Sequence, residues 1–243
     1  MIIQQYKVRI SAILDDIVND QADAILSASE LVSETIKKNG LIYIFGCGHS
    51  HILAEECFYR AGGLACVAPI FYEPLMLHES ATLSSKLEKQ SGLTEEILNQ
   101  YSFSENDILI CISTSDKNAV PVELAAHVHD LGIPVICISS SSYFRDEVHN
   151  AVNMHLHEVC DIWIDNKADH GDACLQMNKV KAGMCPTSTI SGAFILNCLL
   201  AEGAQSAMND GADVPIYLSG NISGGAEYNK ALIEKFFSRI KCL

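Results

Sequence analysis

Two short stretches combine residue types suited to holding an anion. Gly46-Cys47-Gly48-His49-Ser50-His51 stands where an apolar run gives way to a helical pattern. Paired glycines let the backbone turn tightly and approach a ligand, and the amides opening the next helix point outward to receive negative charge. Ser113-Thr114-Ser115-Asp116-Lys117-Asn118 follows another apolar run in the same way. Short hydroxyls and free amides donate to phosphate oxygens without crowding them, although Ser and Asn at such positions also cap helices. Ser139-Ser140-Ser141-Ser142 and Pro186-Thr187-Ser188-Thr189 add two further hydroxyl-rich turns. A dinucleotide site fits less well, because it wants a third Gly near Ile52 and an acidic residue where Ala68-Pro69 stands.

Turns of this kind need a scaffold that brings them to one edge. Nearly all-apolar runs at 41–45, 64–68, 108–112, 134–138 and 162–164 predict strands buried on both faces, as in a parallel sheet. Helical patterns at 52–61, 94–100, 119–131 and 189–208 alternate with them, which predicts a layered α/β fold. Ligands in such folds bind beyond the carboxyl ends of the strands, where these turns lie. The first forty residues read as two helices restarted near Asp20 and closed by Lys37, Lys38, Asn39 and Gly40. The stretch 69–93 is long for a connection, which suggests a lid or binding loop.

Composition narrows the function classes. A formal charge of −14 and scattered basic residues disfavour nucleic acid and anionic membrane as partners. The first ten residues hold Lys7 and Arg9 and no continuous apolar signal region, and no later run is long enough to span a bilayer. The ten cysteines include no Cys-x-x-Cys pair and fall mostly in apolar runs, so free thiols in a cytoplasmic protein are expected. One domain spanning 1–243 suits the length, with an N-terminal helical extension and a C-terminal helix.

The order strand, Gly-x-Gly-x-Ser, helix, strand, Ser-x-Ser-x-x-Asn, helix, then Ser/Thr before a long apolar helix resembles the sugar isomerase (SIS) domain. That domain occurs in phosphoheptose isomerases, glucosamine-6-phosphate synthase and N-acetylmuramic acid 6-phosphate etherase. The resemblance covers about residues 31–208, most closely a phosphosugar-binding branch carrying Gly-Cys-Gly-His-Ser-His. It implies a three-layer α/β fold with a five-stranded parallel sheet flanked by helices. It also implies phosphate held by Ser113, Ser115 and Asn118 with Thr187 or Ser188 assisting, a sugar across Gly48 and Ser50, no redox cofactor, and a homodimer or homotetramer. Where the family usually has Gly after its second Ser, this chain has Asp116, whose carboxylate must turn away if phosphate is to bind. The family's working Glu, two to three turns into the first helix, meets Arg60 here, so that role does not transfer.

Chemistry of the SIS type removes a proton beside a carbonyl and returns it, or eliminates, at a neighbouring carbon. His51 and Glu55, four residues apart beside the first turn, are the leading acid/base pair; Glu79 follows. Glu56 is a further candidate, yet with Arg60 four residues on it has the direction of a stabilising ion pair. His49, His51, Glu55, His78 and Glu79 could alternatively gather a divalent metal, though their spacing matches no zinc motif. His170-Gly171-Asp172 is expected to line the crevice, whereas His155 and His157 are expected to pack or face water. Asn221, Glu227 and Asn229 lie in a turn before a last helix and offer contacts to sugar hydroxyls. The apolar run from Thr189, interrupted by Asn197, reads as a helix buried against a second subunit. The leading function is a sugar-phosphate isomerase or lyase. The rivals are a phosphosugar sensor, which usually carries a basic helix-turn-helix absent here, and amino-sugar chemistry of the synthase type.

Overall fold

The computed structural model describes residues 1–243. Four of the apolar runs form strands β1 (Ile42–Gly46), β3 (Ile108–Ile112), β4 (Val135–Ser139) and β5 (Ile162–Asp165), whereas the run 64–68 only begins to pair at β2 (Val67–Pro69), Leu64 forming an isolated bridge with Ile216. All pair in parallel, in the order β2-β1-β3-β4-β5. Every residue of β1, β3 and β4 is buried, which is why these strands carry no polar alternation. Chain direction across the sheet reverses between β1 and β3. The carboxyl ends of those two neighbours therefore flank a topological switch point, and they carry the 46–51 and 113–118 turns.

Helices α1 (Ile2–Asp20) and α2 (Ala22–Lys37) break at Gln21, whose side-chain carbonyl accepts the amide of Asp165 at 2.9 Å. Helix α3 (His51–Cys57) is shorter than its pattern suggested, because Phe58 turns extended and Tyr59 takes a left-handed φ of 46°. The 69–93 stretch is a packed element: it holds α4 (Leu77–Leu87), kinked at Ser80, and the Ser84 hydroxyl donates to the carbonyl of Leu75 at 2.7 Å. Then come α5 (Thr94–Leu98), α6 (Ala119–Asp130), the short antiparallel pair β6 (Leu175–Gln176) and β7 (Gly183–Met184), α7 (Ser188–Asn209) and α8 (Gly225–Phe236). Helices α2, α3 and α7 cover one side of the sheet, and α6 with α5 covers the other. One continuous hydrophobic core joins the layers. No helix is long and apolar enough to cross a membrane.

Helix α7 buries one apolar face against α1, α2 and α3 of the same chain and leaves Ile190 and Met208 exposed. The contact with α2 is close enough to need Gly203, where a Cβ would stand 2.5 Å from the Val32 side chain and 2.8 Å from the Ser29 carbonyl. Asn197 is exposed and donates back to Ala193 of its own helix at 2.8 Å.

All ten cysteines are free. Burial pushes the Cys57 and Cys66 thiols up to about 12, which keeps them inert.

Candidate functional site at the switch point

The 113–118 turn forms a cradle of donors. The amides of Thr114, Ser115 and Lys117 are taken by no backbone carbonyl, while Asp116 N–H closes the turn on the Ser113 carbonyl at 3.0 Å. Asn118 precedes α6 with an extended ψ of 142°, and its side chain makes no capping bond to that helix. Asp116 sits in the left-handed region at φ 61°, a geometry that curls successive amides inward around an anion. Its side chain is buried behind the turn and accepts from the His157 amide at 3.0 Å and from His157 Nδ1 at 2.5 Å. Burial pushes the Asp116 carboxyl up, against hydrogen bonds from Ser139 and His157 that pull it down.

The end of the turn, Lys117 and Asn118, lines a cleft of about 610 Å³ together with Lys89, Arg145, Asp146, Glu147 and His149. Three basic side chains there face two carboxylates, in a chain whose net charge is −14. Lys117 is partly neutralised by Asp146 at 2.6 Å, and that bond draws the Asp146 carboxyl below its ordinary value.

The first turn lies beside this cleft. Gly46 must be Gly, since a Cβ would stand 2.7 Å from the backbone and side chain of Ser50, and Gly48 adopts φ 55°. Buried His51 donates from Nδ1 to the Gly48 carbonyl, which fixes the ring and aims Nε2 away from that bond. That Nε2 lies 3.3 Å from Glu55, which is half exposed. Glu56 is engaged with Arg60 in a helix-surface ion pair. Exposed Glu79 sits 3.6 Å from His78 on a wall of another cavity, shared with Tyr72 and Tyr101.

Glu88, which the sequence reading passed over, stands where the two turns meet. Its Oε2 lies 3.7 Å from the position a Cβ on Gly48 would take, and its backbone carbonyl accepts from Val120 at 3.0 Å. Burial raises the Glu88 carboxyl, opposed by Lys89 and by a hydrogen bond from Asn118. Nothing local marks it, because it lies at the end of α4 and reaches the site only through the fold.

The other hydroxyl-rich turns are occupied by the chain itself. Ser139 accepts from the Trp163 indole at 2.8 Å, Ser140 and Ser142 donate to the Ala168 carbonyl at 2.6 and 3.1 Å, and Ser141 donates to Asp165 at 2.6 Å. At the start of α7, one carboxylate, Asp172, receives the amides of Thr187 and Ser188 at 2.8 and 3.0 Å and both hydroxyls at 3.2 and 2.5 Å. His170 is exposed and lies 3.3 Å from Asp146.

Of the proposed metal set, no three of His49, His51, Glu55, His78 and Glu79 converge. Asp116, His155 and His157 do, with ligand atoms within 4.8 Å of one another. The two histidines pack as expected, His157 against Phe144, and in addition meet the Asp116 carboxylate. Asn229 bonds the Leu218 backbone at 2.9 and 2.8 Å beside Tyr217, which pairs with Gly62 and Gly63 before β2. The turn reading of 219–229 therefore prevails, at the edge of the sheet opposite the cradle.

Comparison with known proteins adds a lineage to this geometry. A family model described as the SIS domain matches residues 5–140, which include most of α1, all of α2 and both the glycine- and the serine-rich turn. The chain belongs to the SIS-domain family. This SIS protein is also 42% identical over 242 residues to a UPF0309 protein of Halalkalibacterium halodurans, covering 99% of this chain and 97% of the relative. A UPF0309 protein of Caldanaerobacter subterraneus is 38% identical over 234 residues, covering 95% of each. Among solved structures, phosphoheptose isomerase GmhA from Neisseria gonorrhoeae superposes with a TM-score of 0.51 at 14% identity, over 83% of this chain and 95% of that one. The sugar isomerase domain of an RpiR transcription factor from Sphaerobacter thermophilus gives a TM-score of 0.51 at 15% identity, over 96% and 97%. At these identities the structural likeness establishes the SIS fold.

Proposed function

We propose that this SIS protein binds a phosphorylated sugar at the switch point between β1 and β3 and moves a proton beside the sugar carbonyl, as an isomerase or lyase. The observation that carries the reading is the 113–118 cradle: the amides of Thr114, Ser115 and Lys117 are free of backbone partners, Lys117 and Asn118 line a cleft beside it, and the Asp116 carboxylate is held behind the turn. Gly48 and Ser50 offer backbone and hydroxyl to the sugar. A Vibrio vulnificus NanR protein of the same fold, with a TM-score of 0.51, was solved complexed with ManNAc-6P, which favours a phosphosugar over other anions.

For the proton transfer, His51 presents Nε2 on a ring fixed by its Gly48 bond, with the Glu55 carboxylate beside it. Glu88 supplies a desolvated carboxyl between the two turns, the environment in which a carboxyl can both hold and release a proton closer to neutral pH. No step of this chemistry needs a redox cofactor. In this reading a homo-oligomer acts on a small-molecule sugar phosphate, with no part for nucleic acid or membrane. The second reading, a sensor that binds without turnover, is favoured by the RpiR and NanR likenesses.

Thermal shift with a panel of sugar phosphates and the matching free sugars tests the binding step, since a ligand specific to the folded state raises its stability. Phosphorylated members should raise the midpoint and free sugars should not. Deuterium exchange at the sugar C2, followed by NMR, then separates catalyst from sensor: a bound sugar phosphate that exchanges no hydrogen assigns the chain to sensing.

A further inference from the structure

We propose that Asp116, His155 and His157 form a binding site for a divalent transition metal of the zinc class, which fastens the back of the 113–118 turn to the segment leading into β5. The three ligand atoms lie within 4.8 Å of one another. Asp116 Oδ2 is 3.2 Å from His155 Nδ1 and 2.5 Å from His157 Nδ1. Ligands about 2.0–2.2 Å from a tetrahedral zinc lie roughly 3.3–3.5 Å apart, so the first pair already has the required separation. The second pair must open by about 1 Å. The proton held between His157 Nδ1 and Asp116 then leaves to solvent as the metal takes its place.

The geometry of His155 points to a cation. Its Nδ1 atom is buried 3.2 Å from the Asp116 carboxylate without a hydrogen bond to it, and its other polar neighbour is the Glu158 amide that it caps. Asp116 is wholly buried, and bonds from the His157 amide and ring hold its carboxylate turned into the cluster. Two imidazoles and a carboxylate select zinc, cobalt or nickel over magnesium and calcium, which prefer all-oxygen shells. Phe144 stacks on His157 at 3.7 Å between ring centres and shields that side. The carboxylate does not line the 610 Å³ cleft, so the metal's role is to hold the cradle in shape. The site stands apart from the proposed sugar-phosphate chemistry and can be tested without it.

The experiment is calorimetric titration of zinc chloride into the chelator-stripped full chain, in wild type and in His155→Gln, His157→Gln and His51→Gln. Wild type and His51→Gln should bind one zinc per chain with equal affinity, and each of the other two variants should bind at least tenfold more weakly. Equal binding by His155→Gln and His157→Gln, or loss in His51→Gln, overturns the assignment. If either variant fails to fold, cobalt absorption of the wild type decides. Visible bands of a four-coordinate nitrogen and oxygen site support the assignment, whereas a near-ultraviolet thiolate band, or no spectrum at all, rejects it.

Discussion

Ser188 donates its hydroxyl to Asp172 at 2.5 Å and its amide to the same carboxylate at 3.0 Å. The chain thus supplies its own anion to the start of α7, where negative charge meets the positive end of the helix. Asp172→Asn keeps a side chain tolerant of the left-handed φ of 48° but removes the charge. It should cost about 1 kcal/mol of stability in urea denaturation. Trypsin should also cut faster at exposed Lys179 and Lys181, in the segment this bond ties down. Unchanged cleavage would show that Asp172 is not the tie.

Ser115→Ala removes one hydroxyl from the cradle and leaves its amides. It should weaken a sugar phosphate on the order of tenfold, a charge-assisted hydrogen bond lost, and leave any free-sugar affinity unaltered. Calorimetry with both ligands checks this; equal losses for the two ligands remove phosphate from the assignment.

Glu55→Gln and Glu56→Gln form a matched pair. The first should lower C2 exchange on the order of a hundredfold while preserving binding. The second breaks the pair with Arg60 and should touch mainly stability, by a few tenths of a kcal/mol. Exchange lost in Glu56→Gln and kept in Glu55→Gln would place the working face of α3 one position further round.

Glu88 carries a pH signature. Its folded carboxyl is raised by burial, so the folded state holds this proton more tightly than the unfolded chain does. Stability from this group is present below the unfolded Glu value and is lost as pH rises through the raised folded value. Glu88→Gln should therefore raise the thermal midpoint at neutral pH and flatten its decline above pH about 4.5. An identical pH profile in wild type and variant would mean that Glu88 is not desolvated in solution.

Gly203→Ala puts a methyl against Val32 and the Ser29 carbonyl, neither of which is a flexible side-chain end. Overpacking of this kind costs roughly 1–3 kcal/mol, readable as a lower urea midpoint with unchanged slope.

Much of this was legible beforehand, for reasons that are local. Strands buried on both faces leave unbroken apolar runs, so β1, β3, β4 and β5 fall within a residue of the expected places, and the turns after β1 and β3 announce themselves by glycine and hydroxyl content. What stayed hidden depends on tertiary position. Glu88 looks like any helix-end carboxylate until the fold sets it beside Gly48, and His155 and His157 carry no spacing signal because their partner lies some forty residues earlier. The hydroxyls of 139–142 resemble those of 113–118 in type, yet nearby acceptors at Asp165 and Ala168 claim them. Helix α7 has the composition of an interface because it is one, between layers of its own chain.

That last contact governs the order in which the molecule can be assembled. The inward face of α2, with Ile25, Ala28, Val32 and Ile36, meets α7 only after more than a hundred and fifty intervening residues have left the ribosome. Until then an apolar helix waits unclothed beside a growing sheet, the condition in which nascent chains stick to one another or are held by chaperones. A terminating codon anywhere before residue 188 would leave that face permanently bare, so truncated products should accumulate as aggregates instead of smaller soluble proteins.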